Sequence, residues 1–344
     1  MDKIFKNRGL SGVVNYGNTC YMNSAIQCLS NITPLSLFFI NKSFISDLKN
    51  ESLERNLVVQ WYKLLMGLWS SNCILSPQSF RREVKILAYK QGVYLNFVGN
   101  KQNDVHEFLV FMIDSLHNGI CKKKNIQYEI PNKEEKKNKQ LEECSKEASK
   151  NWDIFFKNNY SIFIELFYSQ ISSSIYSLDK QKLSTIYEPC CFFILPINSK
   201  SNDLYDCFND YTSMEKLEKE NEWYNDKTKS YQEAFKKINF WKLSNIIIVI
   251  LKRFNNKGDK ISSLIDIPLV LDLSKYCIGY NKEKYKYNLI SIANHRGTLE
   301  GGHYYSYILN QNKKWYNYND TNVSPINKND LITKNAYCLF YKLK

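Results

Sequence analysis

In Gly17-Asn18-Thr19-Cys20-Tyr21-Met22-Asn23-Ser24 a cysteine stands where a helix should begin. Met22, Ala25, Ile26 and Leu29 follow at helical spacing, and Pro34 limits how far that helix can run. Asn18 or Thr19 is placed to cap it, and Gly17 gives the backbone freedom a tight entry turn requires. A free thiol titrates near pH 8.5, so it is a poor nucleophile at neutral pH unless something favours the thiolate. Unpaired amides and the positive dipole end at a helix start do so. Cys20 is therefore a candidate nucleophile. For the other cysteines, such as Cys28, the default is a small apolar residue under a helix or strand.

Thiolate chemistry needs a partner that holds a proton and returns it to the leaving amine. The chain has 4 histidines: His106, His117, His295 and His303. The first two sit on an amphipathic helical pattern and suit an ordinary boundary role. His303 lies in Gly301-Gly302-His303-Tyr304, where the glycines allow a substrate backbone to approach closely. Residues 302–309 and 315–319 flank a polar turn and predict a hairpin. If the chain reverses across 310–313, facing residues have numbers that sum to about 622 or 623. This puts Asn319 or Asp320 opposite His303, where either can accept from the imidazole and fix its tautomer.

The rest of the 344 residues set the frame. A hydrophobic fraction of 44% and an aromatic fraction of 15% argue for a folded globule. The net charge of +13 raises nucleic-acid or acidic-membrane binding. Much of it, however, sits in runs such as Lys122-Lys123-Lys124, without interleaved aromatic residues, so neither partner is expected. The 10 cysteines are irregularly spaced and residues 1–6 contain no apolar signal core, which suggests free thiols in a reducing compartment. The longest aliphatic run, 246–251, is too short for a bilayer and reads as a buried strand.

Three textures follow one another. Residues 9–121 are mainly helical, with Val105, Phe108, Leu109, Met112, Ile113 and Leu116 forming one clean stripe and 53–69 a second helix. Residues 122–150 read as a solvated insertion, either ordered or disordered. Beyond them lie strand-like runs at 162–168, 192–197, 246–254 and 288–294, interrupted by a polar stretch at 199–230. Cys190 and Cys191 are expected to be buried in a strand.

The Cys20 octapeptide and the His303 box together resemble the two signature boxes of the ubiquitin-specific proteases, the papain-like deubiquitinases. Gln102-Asn103-Asp104-Val105-His106-Glu107-Phe108-Leu109 resembles a third box, and Val249-Ile250-Leu251-Lys252-Arg253-Phe254 a fourth. The likeness runs over residues 9–342. It implies an α+β, papain-like cysteine protease fold with a helical thumb (9–121), β-rich fingers (160–245) and a palm (246–342). It implies a catalytic set of Cys20, His303 and Asn319, with Asp320 as auxiliary and Asn15 as oxyanion donor. Substrate-binding positions would be Asp104, Glu107, His295, Gly301, Gly302 and Tyr304, the two acids receiving arginines of the ubiquitin tail. Locally, Asn103 as a cap followed by first-turn acids explains Asp104 and Glu107 equally well.

The implied reaction is hydrolysis after the terminal glycine of ubiquitin, in the cytoplasm or nucleus, by a monomer without cofactor. The alternatives are an inactive ubiquitin-binding relative, or a protease for another ubiquitin-like modifier. Many relatives bind structural zinc through two Cys-x-x-Cys pairs. Here those positions read Ser177 and Lys180, then Asn225 and Thr228, so no metal is expected.

Overall fold

A computed structural model describes residues 7–255, 258–298 and 301–344. The stretch 1–6, read above for a signal core, lies outside the described residues. After a short strand β1 (Gly12–Val13), the nucleophile helix α1 covers Cys20–Ser30, and all 11 of its residues are buried. A helix enclosed on every side is a core element, so its polar side chains bond within the protein: Asn23 donates to Asp320 and Gln27 to the Ser11 carbonyl. Around it pack α2 (Thr33–Ile40), α3 (Arg55–Ser70), β2 (Ile74–Leu75, parallel to β1), α4 (Gln78–Gln91) and α5 (Val105–Ile120). The stripe expected on α5 is buried as read. Its cap is Asp104 and not Asn103: the Asp104 carboxylate accepts from the His106 and Glu107 amides.

Two expectations need correction. Residues 139–150 are ordered and not solvated throughout: α6 spans Lys139–Phe156 and buries Ala148, Trp152 and Phe156, one turn apart each. That stripe continues beyond residue 150, so a segment cut there hides it. The run at 162–168 is not a strand. It forms the short helix α7 (Ile162–Phe167), capped by the Ser161 hydroxyl, which accepts from the Phe163 amide. An apolar run of this length has no period to separate strand from helix, and the cap decides. The polar stretch 199–230 is structured too. It holds α8 (Leu204–Tyr211), closed by a capping box between Asp203 and Asp206, followed by short strands.

The strands divide into two principal sheets. In one, β4 (Lys182–Cys190), β3 (Ser169–Tyr176), β9 (Ala234–Lys242) and β6 (Met214–Leu217) lie in that order, with β7 (Trp223–Asn225) and β8 (Ser230–Gln232) as a separate hairpin. The other contains β5 (Phe192–Pro196), β10 (Ile246–Lys252), β11 (Val270–Asp272), β12 (Lys286–Gly297), β13 (Gly302–Leu309), β14 (Trp315–Asn319), β15 (Asn322–Pro325) and β16 (Ala336–Leu343). Its order is β15-β14-β13-β12-β16-β10-β5, with β11 against β12. Residues 192–196 thus belong to this sheet and not to the fingers region. Cys190 and Cys191, at the junction before β5, are only half-buried.

Both faces of the larger sheet are covered. On β10, Ile246, Ile248 and Ile250 face the helical core, while Ile247, Val249 and Leu251 face a second core with Phe193, Leu339 and Tyr341. This two-sided burial accounts for an unbroken aliphatic run without alternation. Helix α1 packs across β13, so the element carrying Cys20 lies on the strand that carries His303.

Candidate active site

Cys20 is the first residue of α1. Gly17 (φ 77°) and Asn18 (φ 56°) turn the chain into the helix through left-handed backbone. The expected cap is absent: Thr19 makes no side-chain bond to the helix. Instead its hydroxyl accepts from the Tyr16 amide (2.9 Å) and donates to Asn15 Oδ1 (3.0 Å), which also accepts from the Thr19 amide (3.1 Å). The loop before the nucleophile is therefore held by its own side chains, and the first-turn amides of α1 are free of a side-chain cap.

His303 on β13 bonds Asn319 Oδ1 on β14 through Nε2 at 2.7 Å, leaving Nδ1 for the sulfur. The thiol and the imidazole act on each other, His303 lowering the thiol and Cys20 raising the imidazole. Burial works against the Cys20 thiolate, but bonds from His303, the Tyr304 amide and Gln102 outweigh it, so the thiol titrates below its ordinary value. Gln102 Nε2 lies 3.4 Å from the sulfur. His303 moves the other way. Its bond to Cys20, against burial and with help from Asn319 and the charge of Asp320, raises it to about 9. Opposite shifts on bonded partners describe a thiolate–imidazolium pair. Cys28, deeper in the same helix, shows the contrast: burial pushes its thiol up to about 12.

The hairpin register differs from expectation. Tyr307 faces Asn317, and not Trp315 or Tyr316, because the turn closes through Asn310 and Lys314. Asn319 reaches His303 along the strand, while Asp320 turns away at φ 50°. The Asp320 carboxylate accepts from Asn15 Nδ2 (2.9 Å) and Asn23 Nδ2 (2.7 Å). Asn15, Asn23 and Asp320 thus make one network beside the sulfur. Asn23 and Gln102 carry no role in the sequence reading, although each lies inside a quoted box. A polar side chain on a fully buried helix face was the signal for Asn23.

Next to this cluster lies a cavity of about 730 Å³ lined by Gln102, Asp104, Glu107, His295, Tyr304 and neighbouring residues. Asp104 is heavily engaged: besides capping α5, its Oδ2 accepts from Tyr304 (3.2 Å) and Tyr337 (2.7 Å). Glu107 accepts from Asn96 (2.9 Å), and burial together with Asp104 raises its carboxyl. His295 faces Tyr304 across β12–β13, ring centroids 4.6 Å apart. A side chain at Gly302 would put its Cβ 2.1 Å from His295 Nε2, whereas Gly301 meets nothing closer than 3.9 Å. Only the second glycine is demanded by the protein's own packing.

A model of the ubiquitin carboxyl-terminal hydrolase family matches residues 11–341. The chain belongs to that family. It is 30% identical over 352 residues to ubiquitin carboxyl-terminal hydrolase 2 of Bos taurus and of Homo sapiens, covering 98% of this chain and 55% of each relative. Ubiquitin carboxyl-terminal hydrolase 4 of Saccharomyces cerevisiae is 29% identical over 365 residues, covering 96% of this chain and 39% of that protein. The chain thus spans about half the length, or less, of the curated relatives it matches. Among solved structures, the Ubp8/Sgf11/Sus1/Sgf73 module of SAGA bound to ubiquitin aldehyde superposes with a TM-score of 0.73 at 24% identity, over 99% of this chain and 71% of that one. A second structure of the Ubp8 module gives 0.69 at 25% identity, over 98% and 68%. The fold is the family's α+β, papain-like arrangement of helical thumb and β-rich fingers and palm.

The family's zinc positions do not fit a metal here. Ser177 accepts from the Gln181 amide in the β3–β4 turn, and Lys180 holds that turn at φ 64°. Asn225 accepts from the Lys227 amide, and Thr228 bonds Ser230, in the β7–β8 turn. Two alcohols, an ammonium and an amide, spent on turn geometry, are not a tetrahedral zinc set.

Proposed function

We propose that the chain is a thiol-dependent deubiquitinase that cleaves the bond after the terminal glycine of ubiquitin. The observation that carries this is the continuous Cys20–His303–Asn319 chain of contacts beside a cavity bearing Asp104 and Glu107. In this reading the ubiquitin tail lies in the cavity and its two glycines pass Gly301, Gly302 and Tyr304. The Cys20 thiolate attacks the terminal carbonyl, and His303 protonates the departing lysine amine. Water, deprotonated by the now neutral His303, then hydrolyses the thioester. Asn15 donates to the developing oxyanion, and Asp320 with Asn23 supports its orientation. Asn319 aims the imidazole without adding charge.

Glu107 is the freer of the two acids to meet an arginine of the tail, since Asp104 already satisfies four donors. Residues 9–342 act as one catalytic domain, with ubiquitin and ubiquitinated proteins as partners and no cofactor. The free thiols suit a reducing compartment, cytoplasm or nucleus. We read the chain as a monomer, though Ubp8 occurs in a multi-subunit module.

The test is reaction with ubiquitin bearing a C-terminal electrophile. A one-to-one adduct is expected, lost in Cys20→Ala. No adduct on the wild-type chain, or one that survives the substitution, overturns the reading. Ubiquitin-like modifiers carrying the same group, run in parallel, identify which tail is accepted.

A further inference from the structure

Lys260 has no part in the chemistry described so far, yet it is fastened to one active-site residue twice. Its ammonium lies 3.1 Å from His295 Nδ1 and 2.5 Å from the His295 carbonyl oxygen. It does so among like charges, since burial and then Arg253 and Lys334 push it down to about 8. Burying a cation costs free energy unless it is hydrogen-bonded, and both bonds of this contact go to His295.

What it sets follows from donor chemistry. An ammonium has only protons to give, so the nitrogen facing it must be a lone pair. His295 is neutral at physiological pH: burial first, and then the charges of Lys260 and His303, lower it to about 4. A neutral imidazole has one N–H. With Nδ1 taken as acceptor, that proton must sit on Nε2. Nε2 is the atom on the Gly302 side of the ring, 2.1 Å from where a Cβ at that glycine, next in the chain to His303, would sit. The ring borders the cavity, and no partner for Nε2 occurs among the described residues.

We propose that Lys260 is a positioning residue that locks His295 in the Nε2–H tautomer, so that a donor faces the backbone carbonyl of the substrate's terminal glycines. The role in turnover rests on the deubiquitinase reading; the tautomer lock does not. The competing explanation is a plain tether, in which Lys260 merely pins its own stretch of chain to the His295 carbonyl.

The experiment separates these. The protein is labelled with ¹⁵N-histidine, and long-range proton–nitrogen correlation spectra report each ring's tautomer; His295→Gln identifies the resonances. The wild-type ring is expected as Nε2–H. Lys260→Met, which keeps length and loses the donors, is expected to show both tautomers. Its kcat/KM on a fluorogenic ubiquitin substrate should fall about tenfold, chiefly in kcat, the size of one hydrogen bond. Lys260→Arg keeps donors and should restore both signals.

An Nδ1–H ring in the wild type overturns the proposal. So does a Met variant that slows turnover without changing the tautomer, which would be the tether. A changed tautomer with unchanged turnover overturns the functional role. A locked tautomer in a wild-type protein that fails to turn over any ubiquitin substrate sinks the parent reading and the turnover role, while supporting the lock.

Discussion

Cys20 is only 2% exposed, yet its neighbours make it acidic: two side chains and one amide bond the sulfur and prevail over burial. The pair it forms with His303 fixes a pH dependence. Above about 9 the imidazolium loses its proton and can no longer supply the leaving amine, so kcat/KM should fall along an alkaline limb there. On the acid side the thiolate is protonated and activity falls again. Both limbs belong to the coupled pair and not to one residue. Asn319 raises His303, so Asn319→Ala should move the alkaline limb to lower pH and reduce kcat about ten- to a hundredfold. A variant with full activity and an unmoved limb would give the orienting role to Asp320 instead. The buried sulfur also implies selectivity among reagents. A small haloacetamide should reach half-buried cysteines such as Cys73 and Cys144 as well as Cys20, whereas a ubiquitin electrophile should find Cys20 alone. Peptide mapping after brief labelling reads the sites.

At the scale of elements, α5 joins stability to the site. Asp104 caps the helix and accepts from tyrosines on two strands, β13 and β16. Asp104→Ala removes the cap and orphans two buried hydroxyls, so urea unfolding should report a loss of about 2–4 kcal/mol. Asp104→Asn keeps an acceptor and loses the charge; its stability should stay within about 1 kcal/mol of wild type. If the charge also serves the substrate, KM for ubiquitin rises in that variant while the unfolding midpoint holds.

The same helix shows what a sequence can disclose. A stripe of six apolar residues at helical spacing has one physical solution, and both the α5 and β10 patterns survive folding intact. The elements that escaped reading lacked such redundancy. Helix α6 has a thin stripe in a lysine- and glutamate-rich segment and becomes visible only through Tyr187 and Trp241, which cover it from other sheet strands. Helix α7 is too short for a period. That Cys20, His303 and Asn319 come together in the fold was legible because residue type and box spacing pointed to it. Lys260 was not, since a single lysine in a turn looks like any other of this lysine-rich chain.

Across the whole molecule the site exists because the two ends of the chain close on each other. Tyr318 donates to the Gly9 carbonyl (2.8 Å), Asn310 to that of Arg8 (3.0 Å), and the Val13 amide to that of Asp320 (2.8 Å). The strap from Gly9 to Asn15 therefore lies directly on the strand turn that positions Asn319 and Asp320. Its tightest point is Gly12, where an added Cβ would sit 2.2 Å from the Thr321 carbonyl oxygen and 2.7 Å from the Thr321 Cα. Those are backbone atoms, so neither a rotamer change nor a small side-chain shift relieves the overlap. Gly12→Ala must push Thr321 away and carry Asp320 with it, loosening its bonds to Asn15 and Asn23. The expected cost is about 1–3 kcal/mol. Because the displaced atoms support the proposed oxyanion donor, kcat should also fall at 25 °C, where the folded fraction is unaffected. Gly67→Ala, inside α3, is the control: its Cβ meets only the Leu75 side chain, at 3.2 Å, and an alanine favours the helix. That variant should match or exceed wild-type stability with unchanged turnover. If Gly12→Ala behaves like Gly67→Ala, the strap does not govern the site.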